Sequence, residues 1–378
     1  MQIRILILML AIIGLAPLAA SAVPAPPPPA VKAKGHLLVD MHSGQALASN
    51  NPQARLEPAS LTKIMTAYVV FRELAEGHIT LADEVVISER AWRMEGSRMF
   101  IEVGRRVSVE DLLKGLIVQS GNDAAVALAE HTAGSEDAFA AMMNEHSRRL
   151  GMNSSHFVNS SGLPHEDHYT TPADIVLVTI ATIREFPEWY AWYAIREFAF
   201  NGITQPNRNN LLWRDDSVDG VKTGHTQGAG YCLVASAKQE DMRLVSVIMG
   251  TDSESTRLTE SQKLLTYGFR FFDSQRLYDP SQTVEQIRVW KGQQKQVPVG
   301  VARDLYVAIP RDAGKTLSAR LNLSGVVEAP VQRGQTVGSI EVLVGDEVIK
   351  TAPAVALADV EKAGIFGQLL DSALLMLE

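Results

Sequence analysis

Apolar and polar positions alternate differently in two parts of the chain. Two strand-like runs surround a turn at 42–44, and helical periodicity follows over 57–74, 108–134, 135–150 and 172–186. Three more strand-like runs, DGVKTGHT, GYCLVASAK and MRLVSVIMG, are separated by short turns, which favours antiparallel pairing. Strands at both ends of a helical middle predict one α/β domain over 35–277, an antiparallel sheet flanked by helices.

The pattern changes after Tyr278. Short alternating runs interrupted by Gly, Pro and Asp predict a small all-β domain over 278–357. Residues 358–378 have apolar positions at helical spacing and predict an amphipathic helix. It is too short and polar to span a bilayer, but it can lie in the membrane interface as an anchor. Because its polar face carries acids, packing on the β domain or on a second copy is the alternative.

The first residues have the features of a signal peptide. Residues 1–22 combine the basic Arg4, an apolar run and a small-residue ending, which predicts cleavage after Ala22. An uncleaved membrane anchor is the alternative, but the apolar run is shorter than the roughly 20 residues that a span needs. Residues 23–34 are rich in proline and predict an extended linker. The body of the protein is therefore expected to be exported.

Composition and charge narrow the functional classes. Apolar residues make up 46% of the chain and charged residues 21%, an ordinary globular balance. The formal net charge of -8 argues against nucleic acid as a partner. Cys232 is the single cysteine and lies in an apolar run, so we expect a buried, unreactive thiol and no intrachain disulfide.

The stretch SLTK contains an unfavourable helix start. Ser60 is a reasonable N-cap, but Lys63 occupies the position at which a capping box has Glu or Gln. A cation there opposes the helix dipole, and burial makes its proton easier to remove. Because the two side chains lie three residues apart on one helix face, Lys63 can act as a base for a serine nucleophile. The motif S-x-x-K alone is weak evidence, since chance supplies it often.

Two further motifs are also weak when taken singly. Ser120 and Asn122 interrupt a helical pattern, and Asn122 or Asp123 can cap the helix that follows. A hydroxyl and a carboxamide there can also relay a proton and hold an amide, although plain helix punctuation explains them too. Lys222, Thr223 and Gly224 lie on a strand near a hairpin. Alternation places Thr223 on the opposite face from its neighbours, so the three can act together only at a twist or a cleft edge. The plain alternative is a solvated surface lysine.

In combination the motifs S-x-x-K, S-x-N and K-T-G are specific. Their order and contexts match those of penicillin-recognising serine acyltransferases. With NRNNLLW and VDGVKTGHT, the sequence resembles the low-molecular-mass penicillin-binding proteins that are D-alanyl-D-alanine carboxypeptidases, over almost the whole mature chain. The resemblance implies a substrate, the peptidoglycan stem peptide, and inhibition by β-lactams, with no metal or cofactor. It also implies a periplasmic protein bound peripherally to the outer face of the cytoplasmic membrane through the terminal helix.

The resemblance also implies roles for the motif residues. Ser60 would be the acylated nucleophile, Lys63 its general base, Ser120 the proton donor to the departing D-alanine, and Asn122 the group that holds the substrate amide.

The strand motif and a preceding arginine would bind the substrate's end. Lys222, Thr223 and Arg208 would receive the terminal carboxylate, and Gly224 would let the substrate approach the strand. The backbone N–H groups of His225 and of the nucleophile would form the oxyanion hole.

Three other functions were compared with the sequence motifs. A serine β-lactamase would need an E-x-x-L-N motif, and Glu166 in PHEDHY does not match it. Only the extra β domain and the terminal helix distinguish this sequence from that of an endopeptidase that cuts D-alanyl crosslinks. A noncatalytic wall-binding factor conflicts with the intact motifs.

His165 and His168 suggest a metal site, but no third ligand stands nearby in the sequence.

Overall fold

The computed structural model describes residues 25–311 and 313–376, so the predicted signal peptide lies outside the described residues. The strands, in chain order, are β1 Gly35–Asp40, β2 Ala46–Asn50, β3 Glu84–Val86, β4 Arg106–Ser108, β5 Glu197–Phe200, β6 Ile203–Pro206, β7 Val218–Thr226, β8 Gly230–Gln239, β9 Met242–Thr251, β10 Phe272–Tyr278, β11 Glu285–Arg288, β12 Gln296–Gly300, β13 Leu305–Pro310, β14 Leu317–Leu323, β15 Thr336–Val344 and β16 Glu347–Ala356. The α-helices are α1 Thr62–Ala75, α2 Glu89–Trp92, α3 Val109–Lys114, α4 Asn122–Ala133, α5 Glu136–Arg149, α6 Pro172–Glu185, α7 Pro187–Tyr190, α8 Glu254–Phe271 and α9 Ile365–Leu375. Short 3₁₀ helices cover Ala59–Leu61, Ala191–Ala194, Asn210–Trp213 and Ala313–Thr316, and Gly115–Gln119 is a π-helical segment.

The described residues divide into two compact units. One contains residues 25–280 with 303–311, and the other contains 281–302 with 313–376. Strand β13 belongs to the first unit, in which it pairs with β10.

The first unit is built on a five-stranded antiparallel sheet in the order β2-β1-β9-β8-β7. The early strands complete the sheet formed by the three late strands, which confirms the predicted arrangement. Strand β7, which carries the K-T-G motif, is an edge strand of this sheet. One of its edges is therefore free to face a ligand, as the sequence pattern required.

Helices cover both faces of this sheet because its side chains alternate in direction. Leu37 and Val39 of β1 belong to a core that includes α1 and α4 to α6, whereas Leu38 belongs to a second core with Leu264 and Leu265 of α8. Helix α1 is buried from residue 62 to residue 71, as its apolar residues on most sides predicted. Each large apolar side chain buried there stabilises the fold by about 1.5–3 kcal/mol.

Polar caps fix several helix starts. The Ser108 hydroxyl accepts a hydrogen bond from the Asp111 N–H, and Ser135 caps α5 in the same way. Pro172 occupies the first turn of α6, where its missing N–H is not needed for a helical hydrogen bond. The prediction that Ser60 is an N-cap was wrong. Ser60 lies inside the 3₁₀ helix that precedes α1, and its side chain caps no backbone group.

The second unit is a β domain that ends in a helix. Its five strands form one sheet in the order β11-β12-β16-β15-β14. The terminal helix α9 is held by Asp371, a buried carboxylate that accepts hydrogen bonds from the Lys291 N–H at 2.6 Å and from the Lys295 ammonium at 2.8 Å. Within the described ranges no helix combines the length and the apolarity that crossing a membrane requires.

Candidate active site

The serine of the first motif lies where the backbone is strained. Ala59 has φ of +47°, a left-handed conformation that residues with a side chain rarely adopt. Ala59 is the first residue of the 3₁₀ helix that carries Ser60, and α1 begins two residues after Ser60 at Thr62. Lys63 therefore lies in the first turn of α1, with its ammonium 3.2 Å from the Ser60 hydroxyl. The predicted contact between the two side chains is confirmed.

The Lys63 side chain is enclosed by acceptors. It is 1% exposed, and besides Ser60 it donates to Asn122 Oδ1 at 2.6 Å and to the Ser161 carbonyl at 2.5 Å. Three acceptors match the three N–H donors of an ammonium group. The amine is thus fixed in direction before any substrate binds.

Burial changes the acidity of this amine. Desolvation, assisted by the nearby cation Arg208, lowers the pKa of Lys63 from its ordinary value to about 7. The carboxylates of Asp123 and Glu136 oppose that shift. Near neutral pH a large fraction of this lysine is therefore unprotonated and can take a proton from Ser60.

The second motif lies at a break between two helices. The π-helical segment ends at Ser120, which adopts a left-handed conformation with φ of +62°. π-Segments of this kind occur frequently at functional sites. Ser120 and Asn122 are 2% and 5% exposed, and Asn122 also donates to the Glu95 carbonyl at 2.6 Å. The Asn122 side chain is thereby held in place.

The prediction that Asn122 or Asp123 caps α4 was wrong. Gly121 is the N-cap and has no side chain to cap with. The Asp123 carboxylate instead accepts hydrogen bonds from the N–H groups of Met99 and Phe100, each at 3.0 Å. It therefore organises the neighbouring loop, and Asn122 is free to contact Lys63.

The third motif brings a second buried cation to the site. Lys222 is 2% exposed, and its ammonium donates to the Thr223 carbonyl at 3.1 Å. Desolvation holds the pKa of Lys222 well below its ordinary value, and the charges of Lys63, Arg208 and Arg257 act in the same direction. A Cβ atom on Gly224 would lie 3.3 Å from the Ser60 nitrogen. Glycine therefore allows β7 to approach Ser60 closely.

These elements surround a cleft of about 520 Å³. Six of the predicted residues line it, namely Ser60, Ser120, Arg208, Thr223, Gly224 and His225. The other three, Lys63, Asn122 and Lys222, are buried and support the lining residues. The structure thus brings the nine predicted site residues into one place.

The structure adds Arg257 of α8, for which the sequence shows no motif. This buried side chain lines the cleft, donates to the Gly224 carbonyl at 3.4 Å and pairs with Glu254 at 2.8 Å. Its Nε atom has no hydrogen-bond partner in the described part of the chain. Arg257 and Arg208 make the cleft suitable for an anionic ligand.

His168, one of the two histidines of the 164–168 loop, is buried and hydrogen-bonded to neighbouring segments. His168 is 2% exposed, its Nε2 lies 2.9 Å from the Thr62 hydroxyl, and its Nδ1 accepts from the Val158 N–H at 3.4 Å. Both ring nitrogens are therefore engaged. Within the ranges that the structure describes, a metal ion could be shared by Glu73, Glu76 and His78, none of which lines the cleft.

Comparisons with known proteins give the same result as the motifs. Residues 21–253 match the model of the D-alanyl-D-alanine carboxypeptidase family, and residues 272–362 match that of the penicillin-binding protein 5 C-terminal domain. The chain is 43% identical over 351 residues to the D-alanyl-D-alanine carboxypeptidase DacC of Escherichia coli (strain K12), covering 91% of this chain and 88% of that protein.

Solved structures support the assignment of the fold. Penicillin-binding protein 5 from Haemophilus influenzae has a TM-score of 0.87 and 39% identity, over 89% of this chain and 99% of that one. The ampicillin-bound form of penicillin-binding protein D2 from Listeria monocytogenes has a TM-score of 0.60 and 27% identity, over 65% of this chain and 100% of that one. The chain therefore belongs to the D-alanyl-D-alanine carboxypeptidase family of serine peptidases, S11, and has the domain arrangement of penicillin-binding protein 5.

Proposed function

We propose that Ser60 carries the acyl group while this serine-type D-Ala-D-Ala carboxypeptidase shortens peptidoglycan stem peptides. The observation that carries the proposal is the Lys63 amine, buried 3.2 Å from the Ser60 hydroxyl with its pKa lowered to about 7. A neutral amine in this position removes the serine proton as the hydroxyl oxygen attacks the penultimate D-alanine carbonyl.

Two acyl transfers complete the reaction. In the first, the bond between the two D-alanines breaks, and Ser120 passes a proton to the departing amine while Asn122 holds the stem peptide. In the second, water attacks the acyl-enzyme ester and frees Ser60. The developing oxyanion is bound by the backbone N–H groups of Ser60 and His225, and Gly224 lets these two segments meet. A penicillin forms an analogous ester with the serine, as the C–N bond of its β-lactam ring breaks and the ring nitrogen takes the proton.

The cations of the cleft select substrates that end in a free carboxylate. Arg208, Thr223 and Arg257 line the cleft, and the buried Lys222 contacts the Thr223 carbonyl. A guanidinium binds a carboxylate through charge-assisted hydrogen bonds. These groups therefore favour removal of a terminal residue over cleavage within a chain.

The function is tested with labelled penicillin and with peptides. We expect a covalent adduct on Ser60, located by peptide mapping, and release of D-alanine from a pentapeptide stem. A stem that ends in D-alaninamide should react roughly 10²-fold more slowly, because the buried cations then lack their partner. Cleavage of crosslinked stem-peptide dimers measures endopeptidase activity, and hydrolysis of penicillin measures β-lactamase activity. An adduct on another residue would contradict the acyl-enzyme assignment.

The terminal helix is the proposed membrane contact of the exported protein. Its polar residue Asp371 faces the β domain, while apolar side chains remain exposed, Phe366 at 90%, Ile365 at 76% and Leu370 at 62%. A face of this kind can be buried in the interface of a bilayer. We infer a periplasmic enzyme, peripherally bound to the outer face of the cytoplasmic membrane.

Substitution of two exposed residues tests the membrane contact. The double variant Phe366→Ser, Leu370→Ser should lower partitioning onto zwitterionic vesicles roughly 100-fold, because two apolar side chains no longer leave water. Flotation of the protein with vesicles measures the effect. The matched control changes two exposed valines of the same unit, Val326→Ser and Val348→Ser, and should leave partitioning unchanged. Equal partitioning of both double variants would contradict the anchor.

A further inference from the structure

Glu136, the first residue of α5, is a buried carboxylate whose position the catalytic motifs do not explain. It is 4% exposed, although its neighbour Asp137 faces solvent. One oxygen accepts hydrogen bonds from both the N–H and the hydroxyl of Ser160, at 3.0 and 2.7 Å. The other oxygen pairs with Arg90 at 2.5 Å. Two of the three polar contacts of the carboxylate are thus made with the loop 159–162.

The next two peptide groups of that loop contact α1. The Ser160 carbonyl accepts from the Thr66 hydroxyl at 2.6 Å, and the Ser161 carbonyl accepts from the Lys63 ammonium at 2.5 Å. Thr66 and Lys63 lie three residues apart and therefore on one face of the helix. Glu136 is connected to the catalytic amine through two consecutive residues, Ser160 and Ser161.

The loop has little freedom to rearrange. Asn159 Oδ1 accepts from the N–H groups of Ser161 and Gly162, at 3.2 and 2.7 Å. Ser160 and Ser161 are fully buried. A displacement of Ser160 therefore moves the Ser161 carbonyl, because no slack in the segment can absorb it.

We propose that Glu136 is a positioning residue for acylation, which holds Ser160 and through it sets the Ser161 carbonyl against the Lys63 amine. The proposal rests on the proposed role of Lys63 as general base. The carbonyl and Asn122 Oδ1 direct two of the amine's hydrogens, so that the nitrogen is aimed at the Ser60 hydroxyl. A carboxylate suits this position because it accepts two hydrogen bonds from Ser160 and one from an arginine at once.

The charge of Glu136 gives the proposal a second readout. The charged and titratable groups that act on or with the buried amine are Asp123, Glu136, Arg208, Lys222 and His168. Of these, Asp123 and Glu136 favour the protonated amine. Removal of the negative charge at 136 should lower the pKa of Lys63, so that acylation extends to lower pH.

The test compares Glu136→Gln, Glu136→Ala and the exposed control Asp137→Asn. The second-order rate constant of Ser60 labelling by penicillin is measured from about pH 5 to 9. Each rate is normalised to the amount of protein that becomes labelled at completion. We expect E136A to lower the high-pH rate about tenfold, because the carbonyl shifts. E136Q keeps an acceptor for Ser160, so it should retain most of the high-pH rate. Because it lacks the negative charge, the pH at which its labelling rate declines toward acid should be lower than in the wild type. D137N should change neither.

Distinct results would overturn each level of the inference. If E136Q and E136A lose thermal stability but keep the wild-type rate and acid limb, Glu136 is structural only. E136Q decides the question through its pH profile even if E136A fails to fold. If the wild-type protein is not labelled on Ser60, or if variants of Lys63 are labelled normally, the failure lies in the proposed function instead.

Discussion

Replacing Lys63 with methionine is expected to slow acylation of Ser60 by roughly 10²- to 10⁴-fold, the range that a general base contributes. Methionine fills a similar volume and cannot accept the serine proton. The rate of covalent labelling by penicillin, with D-alanine release from a pentapeptide, measures the loss. In the wild-type protein the acylation rate should rise with pH through about 7, where the buried amine loses its proton.

The same substitution should leave the fold intact. Because folding lowers the pKa of Lys63 to about 7, the unfolded chain binds this proton more tightly than the native state does. The native state is therefore penalised at and below neutral pH, and the penalty declines as pH rises from about 7 toward the ordinary lysine value. Methionine removes this penalty and leaves two buried acceptors, Asn122 Oδ1 and the Ser161 carbonyl, without a donor. These terms oppose each other, so thermal unfolding should show stability that is unchanged or improved.

The control is Lys238→Met, which removes an exposed lysine from β8. It should retain wild-type labelling and D-alanine release. If K63M is acylated at the wild-type rate while folded, Lys63 is not the base, whatever else the site contains.

Gly162→Ala is expected to have the second-largest effect. Gly162 has φ of +84°, and a Cβ atom there would lie 1.8 Å from the Ala59 carbonyl oxygen, a backbone atom that directly precedes Ser60. Relief of this overlap must move either the segment with Ser60 or the loop whose Ser161 carbonyl holds Lys63. We expect acylation to fall roughly 10²-fold, as misplacement by about 1 Å can produce. Stability should fall by about 1–3 kcal/mol beyond the strain of the backbone conformation.

Gly151→Ala separates the clash from the backbone strain. Gly151 has φ of +80°, nearly the same as Gly162, but a Cβ atom there has nothing within 4 Å. Its substitution should cost only about 1 kcal/mol and leave acylation unchanged. Both free energies of unfolding come from denaturant titration. Equal losses in the two variants would show that the close approach of Gly162 to Ala59 has no role in the site.

Much of the fold was readable from local patterns. Alternation predicted the antiparallel strands, and the apolar residues on most sides of α1 predicted its burial. Local patterns failed at Ser60 and Asn122, where a cap was predicted and none exists. The Ser60 side chain lines the cleft instead, and the Asn122 side chain accepts a hydrogen bond from Lys63. Functional sites are where such local rules are expected to fail.

The sequence by itself determined the chemistry of this protein: the three motifs in their order, and a lysine in the first turn of a buried helix beside a serine. Only the tertiary structure decided what surrounds that lysine. The Ser161 carbonyl lies 98 residues from it along the chain, and Arg257 reaches the cleft from α8. Backbone carbonyls carry no residue-specific signature, and buried charges such as Glu136 and Arg257 look like ordinary surface residues in a sequence. Their roles come from long-range packing, which places donors and acceptors of distant segments within hydrogen-bonding distance.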